Sequence, residues 1–244
     1  MSNPLRLPWI DRPEQFPPTS QALLDPPGLL CASDWLDTHW LAASYPRGIF
    51  PWYSPGEPVL WWSTHPRAVL FLEEFKLKRS LKQAIRRFAA DPTRCIRLNS
   101  DFAQTIAQCA NRARPGQNGT WITDEVIQAY CGLHQRGMAH SIEHWRGDEM
   151  VGGLYCVSVG GMVYGESMFA LETDASKAAF AVFVAWLKRQ NVHIIDCQQA
   201  TGHLMSLGAR TLPRPLFEEA MNVAIGQAAP DWSPCTLSWT HDTT

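Results

Sequence analysis

No apolar run in the 244 residues approaches the roughly 18 needed to cross a bilayer, so a membrane-spanning protein is not expected. The opening stretch, MSNPLRLPWIDRPEQF, lacks an apolar core and a cleavage-like site, which predicts no secretory leader and a cytoplasmic location. The seven cysteines (Cys31, Cys95, Cys109, Cys131, Cys156, Cys197 and Cys235) never form C-x-x-C. Scattered and odd in number, they exclude a disulfide framework or zinc ribbon and read as reduced core thiols. Also missing are a G-x-x-x-x-G-K-[ST] loop, a helix-opening G-x-G-x-x-G and a G-x-S-x-G elbow. Nucleotide hydrolysis, dinucleotide redox chemistry and serine hydrolysis lose support accordingly. The absence of a [QR]-x-x-G-x-[GA] loop disfavours an acyl-CoA donor. No cofactor is implied.

What is present is a local concentration of positive charge. The total is only −2, yet between Lys76 and Arg97 lie Lys76, Lys78, Arg79, Lys82, Arg86, Arg87, Arg94 and Arg97 against one acid, Asp91. Clustered like charges repel unless a partner neutralises them, which suggests a polyanion site. In the helix predicted over Leu77 to Ala90, Arg79, Lys82 and Arg86 recur at three- and four-residue spacing and share a face. A solvated face is the ordinary fate of such a stripe, but its density favours phosphate contact, with Lys76 and Arg87 beside it.

The length suits two modules. Residues 1–65, rich in proline and tryptophan, are expected to form a small N-terminal domain, and 66–244 the larger one. A helix is predicted from Ser33 as N-cap to Tyr45, with Gly48 beyond its end, and short strands in GIFPWYSPGEPVLWW. Further helices are expected over Ser100 to Ala113 and Asp124 to Arg136, capped by Ser100 and Thr123, with Gly137 as a stop. From Ala139 the period falls to two. AHSIEHW, MVGGLYCVSV and MVYGESMF read as antiparallel strands joined by RGDE and Gly160-Gly161 turns. A largely buried helix, capped by Asp174 or Ser176, and the strand VHIIDCQ follow, an order that predicts an α+β or α/β acyltransferase-like core.

His140-Ser-Ile-Glu143-His144 matches the H-x-x-E-H pattern of inverted zinc proteases, which requires a helix. On a strand, residues four apart lie about 13 Å apart at ~3.3 Å rise, beyond the reach of one ion, so no metal is expected. In VHIIDCQ, Ile194, Asp196 and Gln198 share one face and Ile195 and Cys197 the other. A carboxylate and an amide at the end of an interior strand need hydrogen-bond partners, and a polar pair satisfying a loop would explain them as well as catalysis. Glu166 follows a glycine that permits close approach, and either an internal Arg or a cationic substrate would serve as its partner. The rings of WYSPGEPVLWW sit among prolines that limit burial and are suited to stacking on a base.

The segments PRGIFPWYSPGEPVLWWSTHPRAVL, NGTWITDEVIQAYCGLHQRGMAHSIEHW, MVGGLYCVSVGGMVYGESMF, DASKAAFAVF and IIDCQ resemble, in one colinear order from about Gly28 to Pro234, the bacterial leucyl/phenylalanyl-tRNA-protein transferases. The resemblance implies a small N-terminal domain followed by a GNAT-like (acetyltransferase-like) domain. It also implies transfer of Leu or Phe, and less well Met, from Leu-tRNA or Phe-tRNA to proteins with N-terminal Arg or Lys, marking them for degradation by the N-degron route. Carried over by motif, Trp52 would contact the 3'-terminal adenosine, and Trp121 and Tyr130 would line the substrate site. Glu166 would hold the cationic acceptor and Asp196 would polarise Gln198 near the attacking amine. Leu154, Val163, Phe180, Phe183 and Ile195 would form the donor side-chain slot, between sheet and helix. The chain departs from the family pattern at Leu29 to Leu36, LLCASDWL, where paired glycines are missing, and the tail after Pro234 lies outside the resemblance.

Overall fold

The computed structural model describes residues 7–111 and 120–239. Near the N-terminus, β1 (Leu29–Ser33), β2 (Phe50–Pro51) and β3 (Val59–Trp62) form a three-stranded antiparallel sheet in the order β1-β3-β2. Tryptophan builds this region's core. The Trp40 and Trp61 rings stack at 5.6 Å, Phe16 meets both edge-on, and the Trp61 indole N–H donates to Ser33 Oγ at 2.8 Å. That bond explains why Ser33 is a strand residue instead of the predicted helix cap. Helix α1 (Thr38–Ser44) starts later, where Asp37 accepts from the amides of His39 and Trp40. Past its end, Gly48 takes the left-handed conformation expected of a helix stop.

The larger sheet has eight strands in the order β10-β4-β9-β8-β7-β6-β5-β11. In chain order its elements are β4 (Arg67–Phe71), α2 (Arg79–Ala89), β5 (Arg94–Leu98), α3 (Phe102–Ala110), α4 (Asp124–Gln135), β6 (Ala139–Arg146), β7 (Glu149–Val159) and β8 (Met162–Ala170). There follow α5 (Ala175–Arg189), β9 (Ile194–Gln198), α6 (Gly202–Ser206), β10 (Arg210–Leu212), α7 (Arg214–Ile225) and β11 (Cys235–Leu237). All neighbouring strands run antiparallel except β8 and β9, which are joined through α5.

Helices cover both faces of this sheet. Ile106, Val126, Tyr130 and Leu133 of α3 and α4 pack with Tyr155, Val157 and Tyr164 on one side. On the other, α5 lays Phe180, Phe183 and Leu187 against Leu154, Val163 and Ile195. Helix α2 then places Leu81, Ala84, Ile85 and Phe88 on the outside of α5. Sandwiched between sheet and helix, α5 is buried from Ala178 to Leu187, which accounts for its nearly unbroken apolar sequence. The same contact turns the basic face of α2 to solvent.

Thr123 caps α4 through its side chain as expected, whereas α3 is capped by Asp101, not Ser100. Ser100 is committed elsewhere: its amide and hydroxyl both donate to the buried Glu143 carboxylate, which also accepts from Ser141 and Trp145. Asp174 sits at the cap position of α5 but bonds Lys177 instead of a helix amide. At the β7–β8 turn Gly160 has φ +57, and any side chain there would strike the carbonyl of Ile225 at the end of α7.

Candidate active site

Strands β8 and β9 are paired at only two positions, Val163 with Ile195 and Tyr164 with Asp196. Beyond them β8 stays with β7 while β9 continues beside β4 to Gln198, and a cavity of about 470 Å³ opens between the diverging strands. Gly165 to Met168 line it from β8, Cys197 and Gln198 from β9, and Phe180 from α5. A gap where paired strands separate is a frequent ligand position, because the sheet supplies rigid walls without filling the space.

A β-bulge aims Glu166 into this gap. Tyr155 faces Ser167 and Cys156 faces Gly165, so Glu166 is the extra residue on β8. The slip reverses the alternation, which is why Val163 and Met168, five apart, belong to the same core. Tyr130 donates to Glu166 Oε2 at 3.0 Å, and Tyr45 lies 2.5 Å from the Tyr130 hydroxyl. Burial raises both tyrosines well above their ordinary pKa, which keeps them protonated donors. The other carboxylate oxygen, Oε1, is buried without a protein partner. Burial pushes Glu166 up to about 7, with Asp196 adding to the rise, against the opposing effects of the tyrosine hydrogen bonds and Arg67. A positive charge placed beside Glu166 would favour its ionised form.

Asp196 and Gln198 occupy different environments. Asp196 is fully buried and does not line the cavity. Arg67 grips it with Nε to Oδ1 at 2.8 Å and Nη2 to Oδ2 at 2.6 Å. Its contact with Gln198 is to the backbone amide, at 2.9 Å, not to the side chain that the sequence reading expected it to polarise. The register with β4 slips by one residue at Cys197, and Gln198 has φ +54, which turns its amide side chain into the cavity.

Of the expected donor slot, Leu154, Phe180 and Ile195 line the cavity, joined by Met168, Cys197 and Leu204. Val163 does not: it is fully buried against α5, although its register partner Ile195 does line the cavity. Nor does Phe183, one helical turn beyond Phe180, which packs on Trp186 and Trp232. Trp52 and Trp121 also line the cavity, with Trp52 held against Trp62 through its carbonyl. Tyr130 is behind Glu166 and does not itself reach the cavity wall. Tyr45, Arg67, Met168 and His203 were not anticipated. Tyr45 and Arg67 are brought in from distant parts of the chain, whereas Met168 and His203 follow closely after Glu166 and Gln198 and face the cavity through the bulge in β8 and the start of α6.

Lys76, Arg79, Arg86 and Arg87 are exposed and Lys82 is half-buried, and none is ion-paired to a described carboxylate. Arg94 leaves the cationic block: it bridges Asp91 and Glu172 and lies 4.7 Å over the Phe88 ring. Arg97 likewise packs on Trp145. Burial, with Lys177 and Lys78 adding to it, lowers the pKa of the cavity-lining His203.

The H-x-x-E-H segment is a strand as expected, and its residues are otherwise engaged. His140 stacks on Trp232 at 3.8 Å, and His144 lies 3.2 Å from the Ala175 carbonyl. Burial lowers them to about 3 and about 4, so both stay neutral. Among the described residues, no group of three or more His, Cys, Asp or Glu is placed to hold a metal, and no helix is long and apolar enough to cross a membrane.

Two family models match the chain: leucyl/phenylalanyl-tRNA protein transferase over residues 69–222, and that family's N-terminal domain over 35–65. Leucyl/phenylalanyl-tRNA–protein transferases from Bordetella avium (strain 197N), Ralstonia pickettii (strain 12J) and Albidiferax ferrireducens are 52%, 51% and 48% identical. These alignments cover 93%, 96% and 95% of this chain and 93%, 93% and 92% of the relatives. A solved structure, L-PGS from Bacillus licheniformis, aligns at 12% identity with a TM-score of 0.40 over 71% of this chain and 54% of that one, too slight a likeness to define the fold. At half-identity over nearly the whole length, the chain belongs to the leucyl/phenylalanyl-tRNA protein transferase family.

Proposed function

We propose that this protein transfers Leu or Phe, and less well Met, from aminoacyl-tRNA to the N-terminal Arg or Lys of acceptor proteins, creating a destabilising N-terminus for the bacterial N-degron route. The observation that carries this reading is that Glu166, one of whose buried oxygens has no protein partner, lines a cavity that also presents apolar walls. A basic side chain beside Glu166 favours its ionised form, and the apolar walls of Leu154, Phe180, Ile195 and Met168 take the donor side chain. Shape in such a slot discriminates by only about 1–3 kcal/mol per methylene, which suits acceptance of more than one apolar amino acid.

The chemistry asks little beyond placement. The acceptor amine attacks the aminoacyl ester carbonyl, the new C–N bond replaces the C–O bond, and the amine proton ends on the released ribose oxygen. Aminolysis of an ester is downhill, so holding two reactants together contributes most of the acceleration. Gln198 is a neutral amide and a weak base. Its role is to hydrogen-bond the reacting groups while the proton passes to the ribose oxygen. Trp52 and Trp121 in the cavity wall offer faces for the 3'-terminal adenosine. We read the larger sheet as GNAT-like, on the support of a single parallel pair, β8–β9, inside an otherwise antiparallel sheet. We place the domain boundary near residue 65, between the end of β3 and the start of β4. Charged tRNA places the reaction in the cytoplasm.

Labelled Phe-tRNA incubated with Arg-, Lys-, Asp- and Glu-starting peptides tests the reading. Label is expected on the Arg and Lys peptides alone. Transfer to the acidic peptides instead would overturn the acceptor assignment, and tRNA binding without transfer to any peptide would leave a binding module.

The exposed face of α2 is read as the tRNA phosphate contact. Replacing Arg79, Lys82 and Arg86 together by Gln is expected to weaken tRNA binding and to reduce the slope of log K against log salt by about 0.7–0.9 per lost contact. A fluorescence titration across 50–200 mM salt, roughly the range over which such contacts are felt, measures it. An unchanged slope returns the stripe to ordinary surface.

A further inference from the structure

We infer that Thr64 and Arg67 are positioning residues that clamp Gln198 through the two peptide groups flanking its Cα, Arg67 acting by way of Asp196. The inference rests on the transferase reading above and extends it to residues outside the cavity wall. Gln198 has a left-handed backbone, φ +54, which a side chain with a Cβ avoids unless its surroundings impose it. Two hydrogen bonds impose it here. Thr64 Oγ1 donates to the Gln198 carbonyl at 2.9 Å, and the Gln198 amide donates to Asp196 Oδ1 at 2.9 Å. A tight turn closes around the residue, with the Gln199 amide donating to the Cys197 carbonyl at 2.6 Å.

Asp196 can serve as a fixed acceptor only because Arg67 holds both of its oxygens. Arg67 in turn is sandwiched between the rings of Phe50 and Phe217, each 4.7 Å from the guanidinium carbon, and is 1% exposed. The consequence appears at the end of the side chain. Gln198 lines the cavity, and its Nε2 is buried with no partner in the protein, a donor left for a hydrogen bond in the bound complex. If the clamp opens, Gln198 relaxes to extended backbone and its amide leaves the reacting centre. Neither Thr64 nor Arg67 lines the cavity, so each acts through Gln198.

A double-mutant cycle on the full chain tests this, using Phe transfer from tRNA to an Arg-starting peptide. Thr64→Val removes the hydroxyl while keeping the shape. It is expected to lower kcat by about ten- to a hundredfold, with the KM for charged tRNA unchanged, because a misplaced group is felt in the reaction and not in binding. Thr64→Ser, which restores the hydroxyl, is expected to recover most of that loss. In a Gln198→Ala background Thr64→Val should cost nothing further, since there is no amide left to place. Should the valine variant fail to fold, Thr64→Ala takes its place in the same cycle. Undiminished kcat in Thr64→Val, or equal losses in both backgrounds, would overturn the clamp while leaving the transferase reading intact. A wild-type protein that transfers no label overturns the transferase reading, and the clamp with it.

Discussion

Glu166→Gln is expected to lower kcat/KM for an Arg-starting peptide by on the order of a hundredfold or more while leaving tRNA affinity unchanged. Removing one member of a desolvated charge pair costs roughly 2–5 kcal/mol, because the other charge is left buried and unpaired. Here that other charge belongs to the acceptor, so the loss falls on acceptor use alone. The substitution keeps an oxygen for the Tyr130 hydroxyl to bond, so the cavity wall should keep its shape. The pH dependence sharpens the expectation. Burial raises Glu166 to about 7, so the empty site is protonated in mild acid and must ionise to receive a cation. Acceptor KM should therefore fall as pH rises through about 7 in the wild type and stay level in the Gln variant.

Stability carries the opposite sign. A carboxyl whose folded pKa is raised binds more protons folded than unfolded, so its contribution is complete below the ordinary value of 4.5 and is lost as pH rises through about 7. The Gln variant should melt above the wild type at pH 8, by on the order of 1–3 kcal/mol, and the gap should close towards pH 4. Thermal melts across that range, beside acceptor kinetics, measure both. Equal acceptor KM profiles for the two proteins would remove Glu166 from acceptor recognition.

Asp196→Ala is expected to cost roughly 3–5 kcal/mol of stability, since it strands the Arg67 guanidinium in the protein interior. Transfer should be lost as well, but for a separate reason: the Gln198 amide loses its acceptor. The two effects are separable. A double variant, Arg67→Met with Asp196→Leu, replaces the ion pair by apolar groups of similar bulk and should recover most of the stability, as buried pairs often tolerate such exchange. It should not recover transfer, because no acceptor for the Gln198 amide has been restored. Denaturant titration together with single-turnover transfer distinguishes the cases. Recovery of both in the double variant would show that Asp196 serves the fold and nothing more.

Much of the molecule follows from local chemistry that any window of the chain contains. The alternating strands from Ala139 to Ala170, the turn at Gly160, the apolar helix after Asp174 and the stop at Gly48 each depend on a few neighbouring residues, and all form as expected. The basic face of α2 follows from spacing in the same way, as does the reading of H-x-x-E-H as a strand. The caps show where locality fails. Ser33 and Ser100 are good cap residues, but a tryptophan 28 positions away and a buried carboxylate 43 positions away claim them first. The site fails locally for the same reason. A bulge aims Glu166, a slipped register turns Gln198, and Arg67, 129 residues from Asp196, decides what Asp196 can touch. Spacing counts residues along one strand, whereas bulges and buried ion pairs are set by the strand alongside and by what packs above it. The sequence by itself determined the central strands, most of the helices that cover them, the family and the kinds of side chain at the site. Only the tertiary structure decided which of them face the cavity, because that depends on where β8 and β9 part.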